Sequence, residues 1–387
     1  MEREIDVLLV GAGVASARCA RTLRRNGFDG SILLVGDEPM PPYNRPPLSK
    51  ELLREDLPPE LLMAEPASFY ERRAVEVRTG VTVTSLDAET RRATLEDGST
   101  LRYGRCLLAT GAEPLRLPVP GGDLGLPLRT VADAQRLRAR AQDADPGTTV
   151  AIVGGGLIGV EVASGLAALG LRPTILERAG ALWAGSLGHE LAAWAAARLA
   201  DAGVVTRTDA SVTGIEPGAV LVGEERMEAR FSVVGIGVRP RVAMAAAAGL
   251  VVDDGIVVDA EQRTSDERIW AAGDVARTAG RRVEHWHAAR EAGERAALSM
   301  LGRPVPPLPV PWTFTEVAGT PVDILGTPDD WDEERWIGGG RVLAYRSGAH
   351  VVQLAVIDAA LDPGRARALV AAPASVAEVE REFTANS

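Results

Sequence analysis

Two short glycine clusters, Gly11-Ala12-Gly13-Val14-Ala15-Ser16 and Gly154-Gly155-Gly156-Leu157-Ile158-Gly159, are the segments whose residue types and spacing point most directly to chemistry. Glycines at this spacing let a backbone approach a pyrophosphate, and a helix starting there offers it unpaired N–H groups and partial positive charge. Each cluster is followed by a carboxylate, Asp37 after the first and Glu177 after the second, at the distance from which an acidic side chain accepts from ribose hydroxyls. Ser16 stands where glycine or alanine is usual, and is small enough to keep the following helix close. Lys50 is singled out by type alone, as one lysine beside 41 arginines. Its ammonium is a compact point charge, which a planar guanidinium does not replace at a site shaped for one small cation.

The elements that must position these residues are repeated along the chain. Residues 5–10 are an unbroken apolar run leading into the first cluster; residues 17–25 are amphipathic, and a second strand over 31–35 runs toward Asp37. The order recurs with a strand over 149–153, the second cluster, a helix through residue 169, and a strand ending at Glu177. Strand, glycine turn, helix, strand and acid make the dinucleotide-binding βαβ unit, so the chain is expected to hold two nucleotides whose reactive ends meet. The natural pair is a flavin on the first unit and a nicotinamide on the second. Glu177 would accept from the 2′-hydroxyl of NADH and repel the 2′-phosphate of NADPH, a preference that Arg178 beside it softens.

Composition narrows the classes. A chain of 387 residues, 46% of them apolar, has core enough for two or three domains. The net charge of −11, with no basic block to offset it, argues against a nucleic-acid partner. Residues 1–5 lack the basic-then-apolar order of a signal peptide, and no apolar run approaches a membrane helix, so a soluble, cytoplasmic protein without membrane attachment is expected. Cys19 and Cys106 form no CxxC pair, which disfavours a dithiol centre, an iron–sulfur cluster or a zinc site, and both are expected to pack as small buried groups. His285 and His287 flank Trp286 at an expected helix start, where they do not share a face, and His189 and His350 are isolated. No metal site is expected.

Eight segments carry a resemblance: GAGVAS at 11–16, PYNRPPLSK at 42–50, LLATGAEP at 107–114, LRTVADA at 128–134, GGGLIGVEVA at 154–163, VVGIGVRP at 233–240, RTSDERIWAAGDVA at 263–276 and EHW at 284–286. In order and spacing, from residue 5 to about 302, they resemble the FAD- and NADH-dependent ferredoxin reductases that feed cytochrome P450 and Rieske oxygenase systems, within the two-dinucleotide-domain flavoprotein fold. The resemblance implies an α/β architecture of two Rossmann-like domains plus a small C-terminal α+β domain. Residues 1–112 and 241–303 would bind FAD, 113–240 would bind NAD(H), and 304–387 would form the last domain.

It also implies roles. Gly11, Gly13, Ala15 and Ser16 would back the FAD pyrophosphate and Asp37 its adenosine ribose, with Val83 near the adenine and Arg45 and Arg129 near polar parts of the cofactor. Ala109, Thr110 and Gly111 would line the same cofactor. Asp274, after Gly273, would bond the ribityl chain, and Glu284 and Trp286 would stand where a helix opens beside the pyrimidine edge. Gly154, Gly156, Leu157, Ile158 and Gly159 would form the NADH turn, with Gly235 and Gly237 under the nicotinamide. Glu161 would point toward that ring and Lys50 would lie near flavin N5 and C4=O, the two candidate catalytic residues. Hydride would pass from NADH to FAD, and single electrons to a small acidic 2Fe–2S ferredoxin docked on arginines such as Arg282, Arg290 and Arg303. A monomer or homodimer is expected.

Past a proline-rich linker at 304–311, strand-like stretches at 322–325, 341–345 and 351–357 and a helical pattern over 363–383 suit the small last domain. Here Thr313, Phe314 and Val317 depart from the family's aromatic, tryptophan and glutamine, and Ala292 stands in place of a glutamine. Two other readings share the fold. One is a reductase or oxidase acting directly on a small molecule or on oxygen; its thiol-dependent forms need a cysteine shortly after the first acidic residue, where this chain has proline, asparagine and arginine. The other is a non-catalytic flavoprotein interaction module, against which two intact nucleotide motifs argue.

Overall fold

The apolar run near the amino terminus forms the strand Arg3–Val10, in which Val7, Leu8 and Leu9 are fully buried. Cover on both faces is what a central parallel strand requires, and it explains why the run shows no alternation. The structure, a computed structural model, describes residues 3–183, 186–327, 331–358, 361–372 and 374–384. The chain forms two compact units, Met1–Arg45 with Pro58–Glu113 and Val238–Pro309, and Pro46–Leu57 with Pro114–Gly237 and Val310–Ser387.

In the first unit Arg3–Val10 lies between Ile32–Gly36 and Thr100–Leu108, parallel to both, and Val75–Thr79 extends the sheet beyond Ile32–Gly36. Val10 pairs with Val35 on one side and Leu108 on the other, so three strand ends meet at one edge. Ile269–Ala271 pairs in parallel with the end of Thr100–Leu108, bringing Gly273 and Asp274 to the same edge. The helix Val14–Arg25 follows the glycine turn, and Trp286–Met300 packs against it. The expected linker at 304–311 has no regular structure, yet the buried Arg295 donates to the carbonyls of Pro306 at 2.6 Å and Pro307 at 3.1 Å.

The second unit repeats the arrangement. Thr149–Val153 lies between Arg172–Leu176 and Ser232–Val234, with Val205–Arg207 outside Arg172–Leu176, all parallel. Its helix, Leu157–Ala168, is buried continuously from Gly159 to Leu166. An antiparallel sheet of Val212–Glu216, Ala219–Val222 and Glu225–Glu228 lies beside it in sequence.

The last part of this unit is a five-stranded antiparallel sheet ordered Trp312–Val317, Thr320–Gly326, His350–Ile357, Val342–Ser347, Glu333–Ile337. Val317, Val322, Ile324, Leu343 and Ala355 share a core with Val162 and Leu166 of the helix, while Ala366, Leu369 and Val379 lie in the core on the sheet's other side. The three expected strands are present. Trp312–Val317 was not expected because its alternation is inverted: Thr313 and Thr315 are buried, and Trp312, Phe314 and Glu316 are half-buried. The helical pattern over 363–383 resolves into two helices, Pro363–Ala371 and Val376–Thr384. Among the described residues no helix is long and apolar enough to cross a membrane.

Candidate functional site

The two glycine turns are built alike. Gly11 and Gly154 both have φ of +107°, and a Cβ on either would lie 2.2 Å from the Ala109 carbonyl oxygen or 2.4 Å from that of Gly235. The first glycine is thus imposed by the neighbouring chain crossing the strand end, which places Ala109 and Gly235 in their respective turns. At Gly13 and Gly156, by contrast, a Cβ would meet nothing within 4 Å. Each of these glycines is the N-cap of its helix, with no side-chain cap and no acidic residue in the first turn. Open space over uncapped helix N–H groups is a cradle that fits a pyrophosphate. Ser16 is fully buried, and Ile158 is 44% exposed at the start of the second helix.

Beside the first turn is a cavity of about 490 Å³ lined by Gly11, Asp37, Val83 and Thr110, with Arg239, Arg241 and Met244 among its other walls. Four expected cofactor residues thus line one space, in which the Asp37 carboxylate can accept from ribose hydroxyls and apolar Val83 can face an adenine. Sequence reasoning missed Arg241. Its Nη1 lies 2.8 Å from Asp37 Oδ2, its N–H donates to the Gly111 carbonyl at 3.0 Å, and its own carbonyl accepts from Thr110 Oγ1 at 3.0 Å.

The PYNR segment is also anchored within this unit. Arg45 lies 2.7 Å from Glu38 Oε1 and donates to Tyr43 Oη at 3.0 Å, while the Tyr43 hydroxyl donates to Glu38 Oε2 at 2.6 Å. Burial works against the Arg45 charge, but Tyr43, Glu38 and Asp274 outweigh it and raise its pKa. Asp274 also acts on His285, whose pKa is lowered by burial and only partly restored by that carboxylate. Trp286 is the first residue of the helix Trp286–Met300, as expected, and its Nε1 donates to Asn44 Oδ1 at 2.8 Å. Glu284 pairs with Arg282.

In the second turn Glu177 holds the backbone itself. Its Oε2 accepts from the Gly155 N–H at 2.6 Å and its Oε1 from the Ala179 N–H at 2.7 Å. Each oxygen keeps a second lone pair for a ribose hydroxyl. Gly237, at φ +105°, follows Gly235 and Ile236 near the Leu115 side chain. Arg129 precedes the capping box that starts Val131–Gln142; its N–H donates to Asp133 Oδ2 at 3.0 Å.

Lys50 and Glu161 meet in this unit as a buried ion pair, Nζ to Oε1 2.6 Å, with side chains 10% and 4% exposed. Ser49 Oγ donates to Glu161 Oε2 at 2.5 Å, Thr315 Oγ1 donates to Oε1 at 2.7 Å, and the ammonium lies 5.5 Å from the centre of the Phe314 ring. Three donors on one carboxylate are what a buried anion needs to persist. The short helix Glu51–Arg54 that follows Lys50 packs closely on Gly165, where a Cβ would lie 2.9 Å from Leu53 Cδ2 and 3.6 Å from the Ser49 carbonyl oxygen. Ser49 and Thr315 were not anticipated, since no local pattern marks a hydroxyl whose partner is more than a hundred residues away.

Cys19 and Cys106 are fully buried, and burial pushes both thiols above their ordinary range. Among the described residues no group of three or more His, Cys, Asp and Glu side chains could hold a metal ion. Of the arginines expected to face a partner, Arg282 is 11% exposed and paired with Asp254 and Glu284, and Arg303 donates to Asn26 Oδ1 at 3.0 Å. Both are paired within their own unit, and Arg303 is exposed. Arg290 stacks 4.4 Å over the Trp286 ring.

A family model described as pyridine nucleotide-disulphide oxidoreductase matches residues 5–293. The biphenyl dioxygenase system ferredoxin–NAD(+) reductase component of Paraburkholderia xenovorans is 36% identical over 375 residues, covering 93% of this chain and 89% of that protein. The benzene 1,2-dioxygenase system ferredoxin–NAD(+) reductase subunit of Pseudomonas putida is 36% identical over 384 residues, covering 95% and 92%. Among solved structures, the covalent putidaredoxin reductase–putidaredoxin complex matches with a TM-score of 0.92 at 27% identity, covering 99% of this chain and 98% of that one. A ferredoxin reductase from Rhodopseudomonas palustris matches with a TM-score of 0.86 at 31% identity, covering 91% of each.

Proposed function

Because the chain belongs to the pyridine nucleotide-disulphide oxidoreductase family, we propose that it is an FAD-dependent NADH:ferredoxin oxidoreductase. The observation that carries this reading is the pair of matched, uncapped glycine turns in a chain whose only two cysteines are buried. Two nucleotide cradles without a reactive thiol suit electron transfer and not disulfide chemistry. The reductase names of the biphenyl and benzene dioxygenase relatives support a ferredoxin as the acceptor.

In this reading Gly11, Gly13 and the start of Val14–Arg25 bind the FAD pyrophosphate, Asp37 its adenosine ribose, and Val83 the adenine face. Arg45, Asp274, Glu284 and Trp286 hold the rest of that cofactor, with Arg129. Gly154, Gly156 and Gly159 bind the NADH pyrophosphate, Glu177 its ribose, and Gly235 and Gly237 leave room for the nicotinamide. FAD supplies the chemistry of accepting a hydride and releasing electrons one at a time. The chain's residues orient and polarise: Lys50 holds a fixed positive charge for the electron-rich flavin, and Glu161 anchors that charge. We place residues 1–112 and 241–303 as the FAD domain, 113–240 as the NAD(H) domain and 304–387 as the α+β domain, in a cytoplasmic monomer or homodimer.

The test is anaerobic. Catalytic amounts of the purified protein with NADH should bleach the visible absorbance of a 2Fe–2S ferredoxin, and NADPH should do so more slowly. Fast NADH oxidation by oxygen or a small quinone, with the ferredoxin left oxidised, would favour the direct-reductase reading instead.

A further inference from the structure

Three elements of the second unit close a ring around Glu161. From the strand Trp312–Val317, Thr315 Oγ1 donates at 2.7 Å to Oε1, the same oxygen that takes the Lys50 ammonium. One turn along the helix, Ser164 Oγ accepts the Ala318 N–H at 3.0 Å and donates to the Val160 carbonyl at 2.8 Å. Arg54, in the short helix after Lys50, lies 2.6 Å from Glu316 of the same strand. The strand and Ala318 just after it are thus fastened to the helix at Glu161 and Ser164, three apart and facing the same way, and the strand is fastened to the lysine-bearing segment by an ion pair.

We propose that Thr315 is a positioning residue for the Lys50–Glu161 pair, so that the C-terminal sheet fixes where the chain's one lysine ammonium stands. Thr315 is 1% exposed, where a valine would pack without needing any partner, so the strand itself does not call for a hydroxyl that must be satisfied once buried. The hydroxyl instead sits on the oxygen that Lys50 uses, opposite Ser49 on the other oxygen, and together they leave the carboxylate one orientation. Without it, Glu161 is free to turn toward Ser49 and the ammonium loses its fixed partner. The consequence for flavin chemistry rests on the placement of Lys50 proposed above; the positioning itself does not.

Because Lys50 is the chain's only lysine, its state can be read by acylation of the flavin-loaded protein with an acetyl N-hydroxysuccinimide ester, followed by the mass of the peptide that carries it. Wild type should react slowly. Thr315→Val should react about ten- to a hundredfold faster, as expected for losing a hydrogen bond to a charged group, Thr315→Ser should return to the wild-type rate, and Glu161→Gln should react at least as fast as Thr315→Val. If Thr315→Val unfolds, Thr315→Ala is read in its place. A wild-type rate in a folded Thr315 variant, with Glu161→Gln fast, overturns the proposal. The flavin midpoint potential separates the two readings: faster acylation with an unmoved potential upholds Thr315 and sinks the placement of Lys50 beside the flavin.

Discussion

The Lys50 ammonium lies 2.6 Å from Glu161 Oε1, with both side chains nearly closed to solvent. Breaking such a pair from one side strands a buried charge, at a cost of roughly 3–5 kcal/mol, whereas neutralising both partners costs far less. Lys50→Met should therefore destabilise the second unit by a few kcal/mol, and Lys50→Met with Glu161→Gln should recover most of it in denaturant unfolding. The single variant should also keep FAD while slowing its reduction by NADH about tenfold or more, in keeping with loss of one preorganised charge. Lys50→Arg should not restore the rate, because a planar fork does not fill the place of a point charge over Phe314.

The two glycines of each turn should fail differently. Gly11→Ala and Gly154→Ala force a Cβ against a backbone carbonyl at positive φ and should lower the melting temperature outright. Gly13→Ala and Gly156→Ala meet open space and should leave the ligand-free stability unchanged, while weakening FAD and NADH binding respectively. Flavin content after purification and NADH titration of the folded variants check both halves.

Much of this architecture is legible in the sequence because it is local. Apolar run, glycine spacing and trailing acid all fall within some thirty residues, and each reports one βαβ unit. What is not legible is partnership across distance. Arg241 reaches Asp37 across 204 positions and Thr315 reaches Glu161 across 154, and neither leaves a periodic mark near its own place. The strand Trp312–Val317 was hidden for a related reason: its buried face carries the threonines and its half-open face the aromatics, the reverse of what alternation reports.

Coenzyme preference should reside at Glu177. Its two oxygens accept the Gly155 and Ala179 N–H groups, so Glu177→Gln keeps an acceptor for only one of them and loses the charge that repels a 2′-phosphate. The ratio of kcat/KM for NADH over NADPH should fall about tenfold or more, mostly through NADPH improving. An unchanged ratio would remove Glu177 from the ribose site.

Stability should fall as the solution is acidified, in part through His285. Burial depresses its pKa below the ordinary value near 6.5, so over the window between the two the unfolded chain binds more protons than the folded one. The contribution is therefore complete above about 6.5 and is lost as pH falls toward the folded value. Denaturant midpoints of wild type minus His285→Gln, taken from pH 7.5 to 5, should show a difference that shrinks on acidification; a constant difference would mean that His285 does not titrate with folding.

The most direct test of the whole assignment is steady-state reduction of cytochrome c with NADH, with and without an added 2Fe–2S ferredoxin. The flavin-loaded protein should give little rate alone and a rate that saturates with ferredoxin concentration. A full rate without ferredoxin, or none with a range of 2Fe–2S ferredoxins while NADH still bleaches the flavin, would contradict the account.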